Sequence, residues 1–169
     1  MLFDRLGAFG HKGDDWSTFD KQPARVVKVI DGDTIIARSS YGTEEKIRLI
    51  GLDAPEMDSR DHWADRSTAY MQARLKDREV TLRLDGTQTR DRYDRLLAYI
   101  FITDNDNLNL ALVRDGHAYA DRRHGHTFRT SFETAVADAR KKGRGLWKDV
   151  RDDQQPEWRQ RWIKERWGK

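Results

Sequence analysis

The chain contains no cysteine, so neither a disulfide nor a thiolate metal site can contribute to its fold or its chemistry. It has only three prolines and shows neither an internal repeat nor a low-complexity tract. No stretch approaches the roughly 18 apolar residues that a membrane-spanning helix needs. The start, Met1-Leu2-Phe3-Asp4-Arg5, is not followed by the run of about 7–15 apolar residues that marks a secretion signal. These absences argue against a membrane protein, and for an intracellular or mobile-element setting over classical secretion. A dominant charge sign is missing too. Lys plus Arg number 32 against 29 for Asp plus Glu, an excess that permits polyanion binding without demanding it.

A length of 169 residues suits one domain with tails. With 36% charged and 37% hydrophobic residues, the apolar side chains must concentrate in a few segments. Residues 1–22, rich in Gly, Asp and Lys without a sustained period, read as a loosely ordered arm. A folded body over 23–150 and a Trp/Arg-rich extension over 151–169 complete the division.

Within the body, β-branched runs separated by turn signals predict strands over 25–30, 34–37, 46–52, 79–84 and 96–101. Asp31-Gly32 reads as a hairpin turn in which Gly supplies a positive φ. Ala64, Thr68, Met71 and Leu75 recur at helical spacing, and Phe128, Phe132, Ala135, Val136 and Ala139 form a second stripe. Between them Asn109 reads as the cap of a short helix that Gly116 closes. Five strands and about three helices in this order predict an α+β, mainly β, fold: a small Greek-key barrel of the oligonucleotide/oligosaccharide-binding type.

The most informative residues are Asp31-Gly32-Asp33-Thr34, then Arg48, then Asp53-Ala54-Pro55-Glu56. Carboxylates and main-chain carbonyls suit a hard cation such as calcium or magnesium. Pro55 biases Ala54 toward an extended backbone, which fixes where its carbonyl points. On a strand Arg48 shares a face with Ile50 and Leu52, where a guanidinium requires an anionic partner: a substrate phosphate, or a structural acid.

These runs, with Asp91-Arg92-Tyr93-Asp94-Arg95-Leu96-Leu97-Ala98-Tyr99, Asn109-Leu110-Ala111-Leu112-Val113-Arg114-Asp115-Gly116 and Gly145-Leu146-Trp147, resemble the staphylococcal-nuclease-like, or thermonuclease, family from about residue 24 to 147. The resemblance implies that Asp33, Asp53 and the carbonyl of Ala54 hold Ca²⁺. It implies that Glu56 is the general base, that Arg48 and Arg95 clamp the phosphate, and that Tyr93 contacts substrate or lines the nucleotide pocket. It further implies a monomeric, sugar-nonspecific endonuclease acting on DNA and RNA, with unpaired strands favoured and 3′-phosphate products. Relatives that have lost the acids offer the alternative, a non-catalytic binding module. Asp31 either steadies its turn or lies behind the metal ligands, and Arg90 and Arg92 face backbone phosphates or solvent.

The sequence departs from the family in three places. The loop between Glu56 and Trp63 is short. The segment 119–127 holds Arg122, Arg123, His124 and His126 where base-stacking tyrosines are common, and its histidines read as a polar loop, not a metal pair. In the extension, Trp158 and Trp162 share one side of a helix among arginines. That side either packs on the barrel or docks nucleic acid or a protein partner.

Overall fold

The computed structural model describes residues 14–56 and 62–167. The first part of the arm (1–13) and most of the loop after Glu56 (57–61) lie outside the described residues.

Strands β1 (Pro23–Val29), β2 (Thr34–Ser39) and β3 (Glu44–Leu49) form an antiparallel meander. β3 then pairs in parallel with β6 (Leu96–Thr103), which pairs antiparallel with β5 (Glu79–Arg83), and β5 returns to β1. The five strands therefore close in the order β1-β2-β3-β6-β5, the predicted barrel, and closure removes the exposed edges that an open sheet would carry. The strand period of two turns Ile35, Ala37, Ile47, Leu49, Leu82, Leu96, Ala98 and Ile100 into the interior, where each is essentially fully buried. Each Ile or Leu among them contributes about 1.5–3 kcal/mol on burial.

Helix α2 (His62–Leu75) covers one end of the barrel with Ala64, Ser67, Met71 and Leu75. Helix α3 (Leu108–Arg114) ends at Gly116, φ +77°, where the N–H groups of Gly116 and His117 reach back to the carbonyls of Val113 and Leu112. This is the predicted glycine stop. Its start differs from expectation. Asn107 is the cap, accepting from the Leu110 N–H, whereas Asn109 lies inside the helix and is fully buried. There Asn109 accepts from the Ile100 N–H and donates to the carbonyl of Ile50 and to that of Ala98, which also accepts from the Ile50 N–H. Helix α4 (Arg129–Lys141) lays the predicted Phe128–Ala139 stripe on the core.

Three further expectations are corrected. The ordered body begins before residue 23: helix α1 (Asp15–Phe19) buries Phe19 in the core, and Asp15 receives Arg90. Arg90 therefore faces neither phosphate nor solvent. Its guanidinium lies between Asp15 and the inward-pointing Glu45, each at 3.0 Å. The strand predicted over 46–52 stops at Leu49, because Gly51 turns the chain with φ +81° and a Cβ there would sit 2.6 Å from the His126 ring. A new strand, β4 (Leu52–Asp53), then pairs with β8 (Tyr119–Ala120), while β7 (Asp106–Asn107) extends the barrel sheet beside β6.

The extension folds back on the body. Helix α5 (Glu157–Trp167) seats Trp158 on the small cluster of Trp63, Tyr119 and Leu146, on which Trp147 and Val150 also pack. Arg159, 3% exposed, packs over Trp147 at 5.0 Å, and its Nε donates to Gln155 at 2.6 Å. Among the described residues no helix is long and apolar enough to cross a membrane.

Candidate nuclease site

Asp33 closes the turn between β1 and β2. Asp31 holds that turn by accepting from the Asp33 N–H at 3.0 Å, which assigns Asp31 the turn-steadying role. Gly32 lacks the positive φ expected of it. It is needed for closeness: a Cβ there would lie 2.7 Å from the Ala54 Cβ and 2.9 Å from the Ser67 Cβ. That approach brings Asp33 to the end of β4, where its Oδ2 accepts from the Ala54 N–H at 2.9 Å and its Oδ1 from the Thr34 hydroxyl at 3.0 Å. Asp53 sits on β4 opposite Tyr119 of β8.

Arg48, opposite Thr34 across the β2–β3 ladder, reaches both acids. Nη2 donates to Asp53 Oδ1 at 2.8 Å, while Nη1 forms an ion pair with Asp33 Oδ2. Two carboxylates, one from the β1–β2 turn and one from β4, thus converge on a single positive group. Burial pushes the Arg48 pKa below its ordinary value, the Asp53 charge opposes that shift, and the nearby charge of Arg95 adds to it. Arg95 is oriented by Asp91, with Nε–Oδ2 and Nη2–Oδ2 distances of 2.7 Å. Tyr93 is 64% exposed, and its ring carries the Arg92 and Arg95 guanidinium carbons at 4.7 and 5.4 Å. Glu56 is exposed, just beyond buried Ala54 and Pro55.

Sequence reading did not foresee what covers Asp53 from the other side. Its Oδ2 accepts from the Trp158 indole Nε1–H at 2.7 Å and lies 3.3 Å from Arg123 Nη2. Asp121 aims Arg123 through Nε and Nη2 contacts of 2.9 Å, and the guanidinium lies 5.0 Å over the Trp158 ring. The helical spacing of Trp158 and Trp162 signalled a packed face, but the acid it meets lies 105 positions away. His124 is exposed, whereas Nδ1 of His126 lies 2.8 Å from the Tyr99 hydroxyl, so the two do not form a metal pair.

Two buried carboxylates and the neighbouring Ala54 carbonyl are oxygen donors of the kind a hard cation takes, although among the described residues no three or more His, Asp or Glu side chains gather closely enough to hold a metal by themselves. The family model described as "Staphylococcal nuclease homologue" matches residues 46–149, more than half of the chain. The chain belongs to the staphylococcal nuclease homologue family. Relatives include an uncharacterized endonuclease of Haemophilus influenzae, 31% identical over 140 residues, covering 83% of this chain and 74% of the relative. An uncharacterized endonuclease of Escherichia coli is 34% identical over 134 residues, covering 79% of this chain and 81% of the relative. A thermonuclease of Staphylococcus hyicus is 30% identical over 136 residues, covering 78% and 79%. Family membership and these names support a nuclease.

Proposed function

We propose that the chain is a Ca²⁺-dependent, sugar-nonspecific endonuclease that hydrolyses phosphodiester bonds of DNA and RNA to 3′-phosphate products. The observation that carries the reading is the convergence of Asp33 and Asp53 on one point beside Arg48, with Arg95 close enough to act on its charge.

In this reading Asp33, Asp53 and the carbonyl of Ala54 hold the ion. Bound there, Ca²⁺ would draw the phosphate into place and neutralise part of its charge. Arg48, drawn from its carboxylates toward the phosphate, and Arg95, held in line by Asp91, take up the charge that builds on the equatorial oxygens. Glu56 takes the proton of the attacking water. Attack in line with the P–O5′ bond breaks that bond, and the departing 5′ oxygen takes a proton from solvent. Tyr93 offers an exposed ring and hydroxyl beside the two arginines, suited to a splayed base or a terminal phosphate. Contacts of this kind read phosphate and stacking surfaces, not base edges, so sequence preference is weak.

Digestion of single-stranded DNA tests the proposal. Cleavage is expected in Ca²⁺, is lost with chelator, and falls by about 100-fold or more in Glu56→Gln. Full cleavage in chelator would remove the metal from the account. Binding without cleavage under any condition would leave the non-catalytic module.

A further inference from the structure

We infer that Trp158, on the C-terminal helix, is a positioning residue for the Asp53 carboxylate, so that the extension forms part of the cation site. The inference rests on the site reading above. It goes beyond the family match, which ends at residue 149 and assigns Trp158 nothing.

The geometry is specific. Trp158 Nε1 donates to Asp53 Oδ2 at 2.7 Å, the short end of the range for a charge-assisted bond to a carboxylate. The indole cannot drift, because it packs against Trp63, Tyr119 and Leu146, and Tyr119 is the cross-strand partner of Asp53 itself. One residue on, buried Arg159 ties the helix to the Tyr119 and Trp147 rings of the body, at 5.9 and 5.0 Å.

The donor's neutrality decides its role. Arg48 and Arg123 also touch Asp53, but both are cations and would be repelled by a divalent ion at the same oxygens. The indole N–H carries no net charge and can stay. A carboxylate offers about four lone-pair sites, so Oδ2 can hold the indole while Oδ1 or its own second lone pair faces the ion. Hydrogen bonds of this kind to ligating carboxylates fix their orientation, and losing one typically costs 10–100-fold in metal affinity.

Calorimetric Ca²⁺ titration of the full chain tests this with Trp158→Phe, Trp162→Phe and Asp53→Asn. Trp158→Phe keeps most of the packing and removes the donor. It is expected to weaken Ca²⁺ binding at least about tenfold, with turnover recovered by raising Ca²⁺. Trp162→Phe should bind as the parent does, and Asp53→Asn should not bind. Parent-like affinity in Trp158→Phe beside lost binding in Asp53→Asn would overturn the role of Trp158 alone. Absent binding in the parent, or undiminished binding in Asp53→Asn, would overturn the underlying site reading and the inference with it. Should Trp158→Phe fail to fold, the parent decides through its assigned indole N–H resonances. That of Trp158 should shift on Ca²⁺ addition while that of Trp162 stays, and an unmoved Trp158 resonance would overturn the proposal.

Discussion

At the scale of single residues, placement matters more than residue type. Arg48 spans two carboxylates because its guanidinium presents a planar fork. Arg48→Lys keeps the charge and loses the fork, so cleavage should fall about 100-fold or more while the melting curve changes little. Unchanged turnover would mean that the bridge is only structural. Gly32 is limited by space: adding a methyl group drives Ala54 and Ser67 apart and displaces the Asp33 turn. Denaturant unfolding of Gly32→Ala should show about 1–3 kcal/mol of lost stability. Arg90, between Asp15 and Glu45, has a different consequence. Its replacement by Met leaves two largely buried acids without their cation, at a cost of about 3–5 kcal/mol in the same measurement.

At the scale of elements, the sequence was most legible where a period repeats. The β-branched runs identified the five barrel strands, and the spacing of Met71 with Leu75, and of Phe132 with Ala139, marked two helix faces. Periodicity carries no information about partners far apart in sequence. Nothing near Arg90 announces that Asp15, 75 positions away, waits for it, and Trp158 gave no sign of Asp53. Asn109 misled for a related reason. Asn favours caps, but this one serves strand and turn backbone that only tertiary packing brings close. Of the site, Asp33, Arg48 and Asp53 were legible as residues, whereas Asp121, Arg123 and Trp158, which surround Asp53 from later elements, were not. Asn109→Ala should cost at least about 2 kcal/mol in chemical unfolding, because it leaves the buried Ile100 N–H without its acceptor and the Ile50 carbonyl without its donor.

At the scale of the whole molecule, burial of titratable groups sets how stability depends on pH. Burial lowers the pKa of His117 and His126 below 6.5, and the raising effects of Asp115 and Asp85 do not restore it. Each binds its proton more readily in the unfolded chain. Stability is therefore fully present above the unfolded value and declines as pH falls through about 6.5 toward the folded pKa values. Burial alone would raise Asp85 and Asp115, but hydrogen bonds from Thr127 to the first, and from Arg114 and Tyr70 to the second, hold both below 3.8. Their contribution is lost in a second, more acidic window, below about pH 4. Thermal melts from pH 8 to pH 3 should show both declines, and replacing His117 and His126 with Gln should flatten only the upper one.

The barrel, the turn at Gly32 and the return of β4 underlie the central proposal, that Asp33 and Asp53 hold a calcium ion beside Arg48 and Arg95. Diffraction from crystals soaked in Ca²⁺ and a nucleoside 3′,5′-bisphosphate tests it most directly. The account predicts an ion at about 2.3–2.6 Å from oxygens of both carboxylates, with Arg48 and Arg95 turned onto the phosphate. Nucleotide bound elsewhere, with Arg48 still bridging the two acids and no ion between them, would contradict it.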